Sequence, residues 1–328
     1  MTRRDSKRRS EAGRTSGSVE IRPSWVEVTV EASAEVSEAA SAILHELRSG
    51  GIVEERRPRG RCRFRCYLPP SRLLSTTLRA IRARVHGLRA FGLDPGSVRV
   101  AHRRVRGRRW ATAWRRQVPP VRVGSVFVRP SWVRVRPPAG SVVVDIDPGM
   151  AFGTGLHPST QLCLRALPEA LSPRANPSRS GRALPPSRRS RTVVYDVGTG
   201  SGILAIAAAR LGAGRVWAVD NDPVAVAVAR GNVRRNRVAE AVRVARGDGL
   251  DPARGQADVI LMNIVADTVI GLLPAARRRL RPGGACIASG IVAGRVRDVL
   301  RAARAGGFRR RRTLRSGEWR AVVLEPAR

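Results

Sequence analysis

The 328-residue sequence predicts an α/β protein: a doubly wound, mostly parallel sheet with a terminal hairpin, preceded by a smaller α+β domain. Three observations predict it. From Thr192 onward the chain repeats strand, glycine turn and helix, and that alternation builds a parallel sheet. Residues 24–106 carry a separate β-α-β-β-α-β pattern. The last two apolar runs meet at Ser316-Gly317, a tight turn that closes a hairpin.

In the first domain, SWVEVTVEA (Ser24–Ala32) alternates with period two and reads as a strand. SEAASAILHELRSGG follows as a helix, with Ser37 as N-cap and Gly50-Gly51 as stop. IVEERR and RCRFRCYLP are two strands around PRG. SRLLSTTLRAIRARVHGLRAFG is a long helix ending at Gly92, and SVRVAHRRV (Ser97–Val105) alternates again. The order is that of ferredoxin-like domains, assigned here to residues 23–106, and by itself it names no function.

Residues 107–140 read as a connector, in which Trp110 and Trp114 share one helical face and pack it onto a domain. Residues 1–22 are polar and basic with no apolar core segment, which excludes a secretory signal and reads as a disordered tail. The sheet domain is assigned to 141–328. Within it, residues 172–191 are Pro, Ser and Arg with almost nothing apolar, a flexible surface insertion.

After the insertion, TVVYDVGTGSG leads to the helix ILAIAAARLGA, and RVWAVDND to the helix PVAVAVARGNVRRN. AVRVARGDG is a third strand and turn, and ADVILMNIVAD a fourth before the helix TVIGLLPAARRRL. A turn at RPGG precedes the strand ACIASGI and the helix AGRVRDVLRAARAGGF. RRRRTLRSG and EWRAVVLEP close the hairpin, which would insert one antiparallel strand.

Hydrophobic residues make up 42% of the chain, enough for a packed core. The net charge is +37, from 62 basic and 25 acidic residues, and Lys7 is the only lysine. One reading is an acidic partner such as RNA. The other is a coding bias that replaces Lys by Arg, which does not explain the excess of base over acid. The two weigh equally. Cys62, Cys66, Cys163 and Cys286 are scattered, with no zinc spacing, and read as reduced thiols of a cytoplasmic protein. No metal is expected, and no apolar run reaches membrane-spanning length.

The chemistry lies in the second domain. DVGTGSG puts Gly198, Gly200 and Gly202 between a strand and a helix. A dinucleotide motif needs glycine where Ile203 stands, so the pyrophosphate spacing fails. The pattern suits a cofactor without phosphates, and by analogy with this strand-loop-helix motif that cofactor is S-adenosylmethionine. Asp220 ends the next strand, about twenty residues on, where a carboxylate accepts from ribose hydroxyls. Asp220 or Asp222 also reads as the cap before Pro223, and both roles fit together. Asp248 reads equally as an adenine contact or a loop cap. Asn263 ends the fourth strand and faces the ligand crevice. Its acceptor, with a neighbouring carbonyl, can orient an amine toward a methyl sulfonium.

Upstream lies DPGMAFGTGLHPST (Asp147–Thr160), too rich in glycine and proline to serve packing alone. Together with DVGTGSGILAIAAARLGA, AVDNDPVAVAVARGNV, MNIVAD, RPGGACIASGI and GEW, it resembles the ribosomal protein L-eleven methyltransferase family, over about residues 22–325. The resemblance implies a class I methyltransferase sheet. It implies a loop closing over the methionine end of S-adenosylmethionine and cofactor contacts at Thr160, Gly198, Asp220 and Asn263. Thr160 reads equally as a helix cap. The implied activity is methylation of lysine and N-terminal amines of a large-subunit ribosomal protein, gripped by the first domain. A weak RNA contact through the basic surface would go with it. The alternative is an RNA methyltransferase. Against it, Ile264, Val265 and Ala266 follow the Asn, where stacking of a flipped base calls for Pro-Pro-aromatic.

Overall fold

The computed structural model describes residues 25–46, 52–68, 73–105, 118–149, 151–172 and 191–327. The expectations for the tail 1–22, for Trp110 and Trp114, and for residues 173–190 of the insertion lie outside the described residues.

The first unit comprises β1 (Trp25–Ser33), α1 (Ser37–Glu46), β2 (Ile52–Arg57), β3 (Arg61–Leu68), α2 (Leu74–Gly87) and β4 (Arg99–Val105). Its four strands pair antiparallel in the order β2-β3-β1-β4. The period-two pattern explains the two faces. Val26, Val28 and Val30 of β1 and Phe64 and Cys66 of β3 are buried with Leu44 of α1 and Ile81 of α2. On the alternate positions opposite charges are matched across strands at two places. Glu31 and Arg63 are direct partners in register and share a 2.7 Å hydrogen bond from Nε. Glu27 accepts from its register partner Arg103 at 2.7 and 3.0 Å. Opposite charges at such positions favour one register over its slips.

The expected cap of α1 is corrected. A 3₁₀ turn, Ala34–Val36, precedes the helix, and its cap is Ser33, whose hydroxyl accepts from the Glu35 amide. Ser37 is already helical and donates to Glu54 Oε1 at 2.6 Å. Ser33 wins because it stands where β1 ends and the first free amides begin. The long second helix stops at Gly87, and a 3₁₀ turn carries the chain to Gly92.

The second unit has β8 (Val193–Val197), α4 (Ile203–Arg210), β9 (Arg215–Asp220), α5 (Pro223–Arg235) and β10 (Val242–Arg246). There follow β11 (Ala257–Asn263), α6 (Ala266–Arg279), β12 (Leu280–Val292), α7 (Val296–Ala305), β13 (Phe308–Ser316) and β14 (Trp319–Pro326). Seven strands pair in the order β10-β9-β8-β11-β12-β14-β13. The first five run parallel, and β14 enters antiparallel between β12 and β13. The terminal hairpin thus inserts one strand, as its sequence predicts. Residues 281–284, expected as a turn, lie within β12, where the pairing with β11 slips between Ala257 and Val259. Strand order reverses between β8 and β11, and in open α/β sheets ligands bind beyond the carboxyl ends of the strands at such a reversal.

Upstream, β5 (Val121–Val123), β6 (Val126–Pro130) and β7 (Val142–Ile146) form a small sheet with β6 and β7 parallel. Val126 and Val128 of β6 share a core with Val144 of β7, Leu162 of α3 (Pro158–Leu171) and Ile203 of α4. Strand pairing therefore crosses residue 140, where the sequence suggests a connector ends. Among the described residues, no helix is long and apolar enough to cross a membrane. The four cysteines are buried and none is in a disulfide, and burial pushes the Cys163 and Cys286 thiols up to about 12, which keeps them unreactive.

Candidate active site

The site begins at the end of β8. Gly198, Gly200 and Gly202 all have positive φ, at 70°, 55° and 83°. A β-carbon at Gly198 would run into the Ile264 side chain. One at Gly200 would lie 2.6 Å from the Phe152 carbonyl oxygen. Glycine is required at both, for conformation and for space.

Two aspartates hold this turn. Asp196 is fully buried beneath it, and its Oδ2 accepts from Thr199 Oγ1 at 2.6 Å and the Ala205 amide at 3.0 Å. Burial pushes its carboxyl up to about 7 against those bonds, and Oδ1 is buried without a partner. Asp220, ending β9, accepts from the Gly200 amide at 2.9 Å through Oδ2 and from the Asp222 amide at 3.0 Å through Oδ1. Each oxygen keeps acceptor capacity for a ligand hydroxyl. Asp222 caps α5, accepting from the Val224 amide at 2.8 Å ahead of Pro223. Asp248 lies past the end of β10, exposed. The neighbouring Gly247 amide donates to the Asp220 carbonyl at 3.0 Å.

Across the reversal, Asn263 ends β11. Its Nδ2 donates to Thr160 Oγ1 at 3.2 Å, and its Oδ1 is buried with no partner. Thr160 is fully buried within α3. The reading of Thr160 as a cap is corrected, because His157 caps α3, its Nδ1 accepting from the Ser159 amide at 3.3 Å ahead of Pro158. The Ile264 amide donates to the Ser289 carbonyl at 3.2 Å, and Ser289 Oγ to the Ser159 carbonyl at 3.0 Å. These bonds tie β11, β12 and α3 together behind the Asn263 amide.

Phe152 and Gly153, between Asp147 and His157, lie over the glycine turn. The Ser201 amide donates to the Phe152 carbonyl at 2.8 Å, and Ser201 Oγ to the Gly153 carbonyl at 2.7 Å. His157 packs edge-on against Phe152 and against Trp319, with centroids 5.2 and 4.6 Å apart. The sequence did not single out Ser201 or Asn232, nor the packing of Trp319 against His157. The signal for Asn232 was present: it stands inside a helix, where asparagine is a poor helix former, with Asn236 four residues on at the C-cap.

The residues present suit a cofactor with hydroxyl and amine donors. They offer an orphaned amide acceptor, a carboxylate, and a glycine cradle that a β-carbon would fill. Among the described residues, no group of three or more His, Cys, Asp or Glu could hold a metal ion. A crevice at the β8–β11 reversal, in a sheet with β14 wedged between β12 and β13, belongs to the class I methyltransferases. Their methyl donor, and that of this chain, is S-adenosylmethionine.

Comparison with known proteins narrows the class. The family model described as ribosomal protein L11 methyltransferase (PrmA) matches residues 24–326. The ribosomal protein L11 methyltransferase of Pelotomaculum thermopropionicum is 37% identical over 322 residues, 91% of this chain and 98% of that one. The one from Moorella thermoacetica is 40% identical over 323 residues, 92% of this chain and 96% of that one. A crystal structure of the ribosomal protein L11 methylase from Lactobacillus delbrueckii subsp. bulgaricus superposes with a TM-score of 0.54 at 27% identity. It covers 64% of this chain and 99% of that one. The chain belongs to the ribosomal protein L11 methyltransferase family.

Proposed function

We propose that this chain transfers methyl groups from S-adenosylmethionine to lysine and N-terminal amines of ribosomal protein L11, a large-subunit protein, in the cytoplasm. The observation that carries the reading is the Asn263 amide, a buried and unpartnered acceptor at the carboxyl end of β11, steadied by Thr160. A buried acceptor left alone costs about 1–3 kcal/mol, so it answers a donor that arrives with the substrate. The family match over residues 24–326 supports the same substrate.

The cofactor, when bound, supplies an electrophilic methyl group on a positively charged sulfur. Gly198 and Gly200 let backbone approach it closely, and Asp220 accepts from its ribose hydroxyls. Thr160 fixes the amide of Asn263. Asn263 Oδ1 then accepts one N–H of the attacking amine and aims its lone pair. A lysine ammonium, with a pKa of ~10.4, has to lose a proton first. Transfer from water into a crevice beside a cation lowers that pKa. We assign no side chain as base, and water takes the proton.

The same reading makes residues 23–106 a ferredoxin-like domain that grips the protein substrate. It starts the catalytic domain near Val121, supported by the pairing of β6 with β7. The exposed Arg309, Arg310 and Arg315 of β13 support a weak contact with ribosomal RNA. Calorimetry with S-adenosylmethionine tests the site. Asp220→Ala is expected to lose about 1.5–3 kcal/mol of affinity, the worth of a hydrogen bond to a charged group. Unchanged affinity would remove Asp220 from the site.

A further inference from the structure

Asn232 lies in α5 and is 1% exposed. Its side chain is fully engaged with backbone of two separate segments. Oδ1 accepts from the Asp147 amide at 2.9 Å, and Nδ2 donates to the Asp147 carbonyl at 3.0 Å. The same Nδ2 donates to the Ser201 carbonyl at 2.9 Å. Asp147 begins the segment that lies over the glycine turn, and Ser201 belongs to that turn. Ser201 in turn holds Phe152 and Gly153, farther along the same segment. The bonds close a ring: Asp147, Asn232, Ser201, Phe152-Gly153 and back along the chain to Asp147.

Asn236, one helical turn on, makes a similar grip with a different consequence. Its Oδ1 accepts from the Asp145 amide at 2.9 Å, and its Nδ2 donates to the Asp145 carbonyl at 2.6 Å. Asp145 lies inside β7, and none of Asn236's bonds reaches the glycine turn. The pair is a natural control: residue type and burial are the same, Asn232 inside α5 and Asn236 at its C-cap, but only Asn232 bonds both the Asp147 segment and the glycine turn.

We propose that Asn232 is a positioning residue for the cofactor, holding the 147–157 segment in register with the glycine turn and so setting the affinity for S-adenosylmethionine. The inference rests on the reading of this crevice as the cofactor site. A ligand enclosed by two walls loses contacts on both when their register slips, while the attacking-amine acceptor, Asn263, stands on a third element and is left in place. The effect therefore falls on binding before turnover.

The test compares Asn232→Ala, Asn236→Ala and the unmodified chain by calorimetry with S-adenosylmethionine and its demethylated product, and by thermal melting. Asn232→Ala is expected to raise Kd about tenfold or more while kcat at saturating cofactor stays within about threefold. Asn236→Ala is expected to lower Tm by a comparable amount with Kd within about twofold. Should Asn232→Ala fail to fold, Asn232→Asp decides by the same thresholds, since it keeps the acceptor for the Asp147 amide and removes both donations. Equal Kd in the Asn232 variant and the unmodified chain, with only Tm lowered, overturns the proposal. An unmodified chain that binds neither ligand overturns the reading of the crevice itself, and this inference with it.

Discussion

Asn263 and Asp196 each have one buried oxygen without a partner, yet the two differ in kind. Asn263 is neutral, and in the proposed mechanism its free acceptor takes a hydrogen bond from the substrate amine. Asn263→Ala is expected to cut kcat by at least about tenfold with a smaller change in cofactor affinity. A kcat within about twofold of the unmodified chain, with affinity collapsed, would make it a binding group only. Asp196 is ionisable, and burial raises its folded pKa to about 7 from an unfolded value near ~4. Between those values the folded chain holds a proton that the unfolded chain has released. Raising pH from about 4 to about 7 therefore costs stability at this residue, and the whole cost is present above about 7. Melting curves of Asp196→Asn should fall less with pH across that window than those of the unmodified chain. Parallel curves would show that Asp196 does not titrate there. The sequence displayed Asn263 because it ends a strand at the crevice. It displayed Asp196 only as a motif letter, because burial is not written in a neighbouring residue.

At the scale of elements, the glycine turn and the 147–157 segment are one structure made from two parts of the chain. Gly200→Ala puts a methyl group 2.6 Å from the Phe152 carbonyl at a φ of +55°. It is expected to lower stability by about 1–3 kcal/mol and to weaken cofactor binding, read by melting and calorimetry. An Ala variant as stable and as tightly bound as the unmodified chain would mean the two segments do not pack as described. Both segments were legible as loops, from their glycines and prolines. Their contact was not, because it depends on Ser201 and Asn232, polar residues whose partners are backbone groups far along the chain. The start of α1 was misread for a related reason: Ser33 and Ser37 both precede helix-like sequence, and only the end of β1 decides which meets the free amides. Strands β5 and β6 were hidden in a Pro- and Arg-rich stretch, and the valines that pair β5 with β6 and β6 with β7 alternate over only a few residues.

At the scale of the whole molecule, the order of strands and helices was readable almost throughout, because hydrophobic period and glycine turns agree along the chain. The two units have separate cores: the cluster around Val28, Phe64 and Ile81 has no residue in common with those of the large sheet. A shortened chain starting near Val121 is therefore expected to keep cofactor affinity within about threefold while losing most methyl transfer to ribosomal protein. The crevice alone offers a folded substrate too few contacts to offset association costs of several kcal/mol. Loss of cofactor binding on shortening would instead mean that the two units depend on each other. The most direct measurement of the central claim uses the full chain with methyl-labelled S-adenosylmethionine, offered ribosomal protein L11 and ribosomal RNA together and then separated. The account expects the label in the protein, on lysine and N-terminal nitrogens, with Asn263→Ala strongly reducing it. Label recovered in the RNA, or in neither fraction while the cofactor binds, would contradict it.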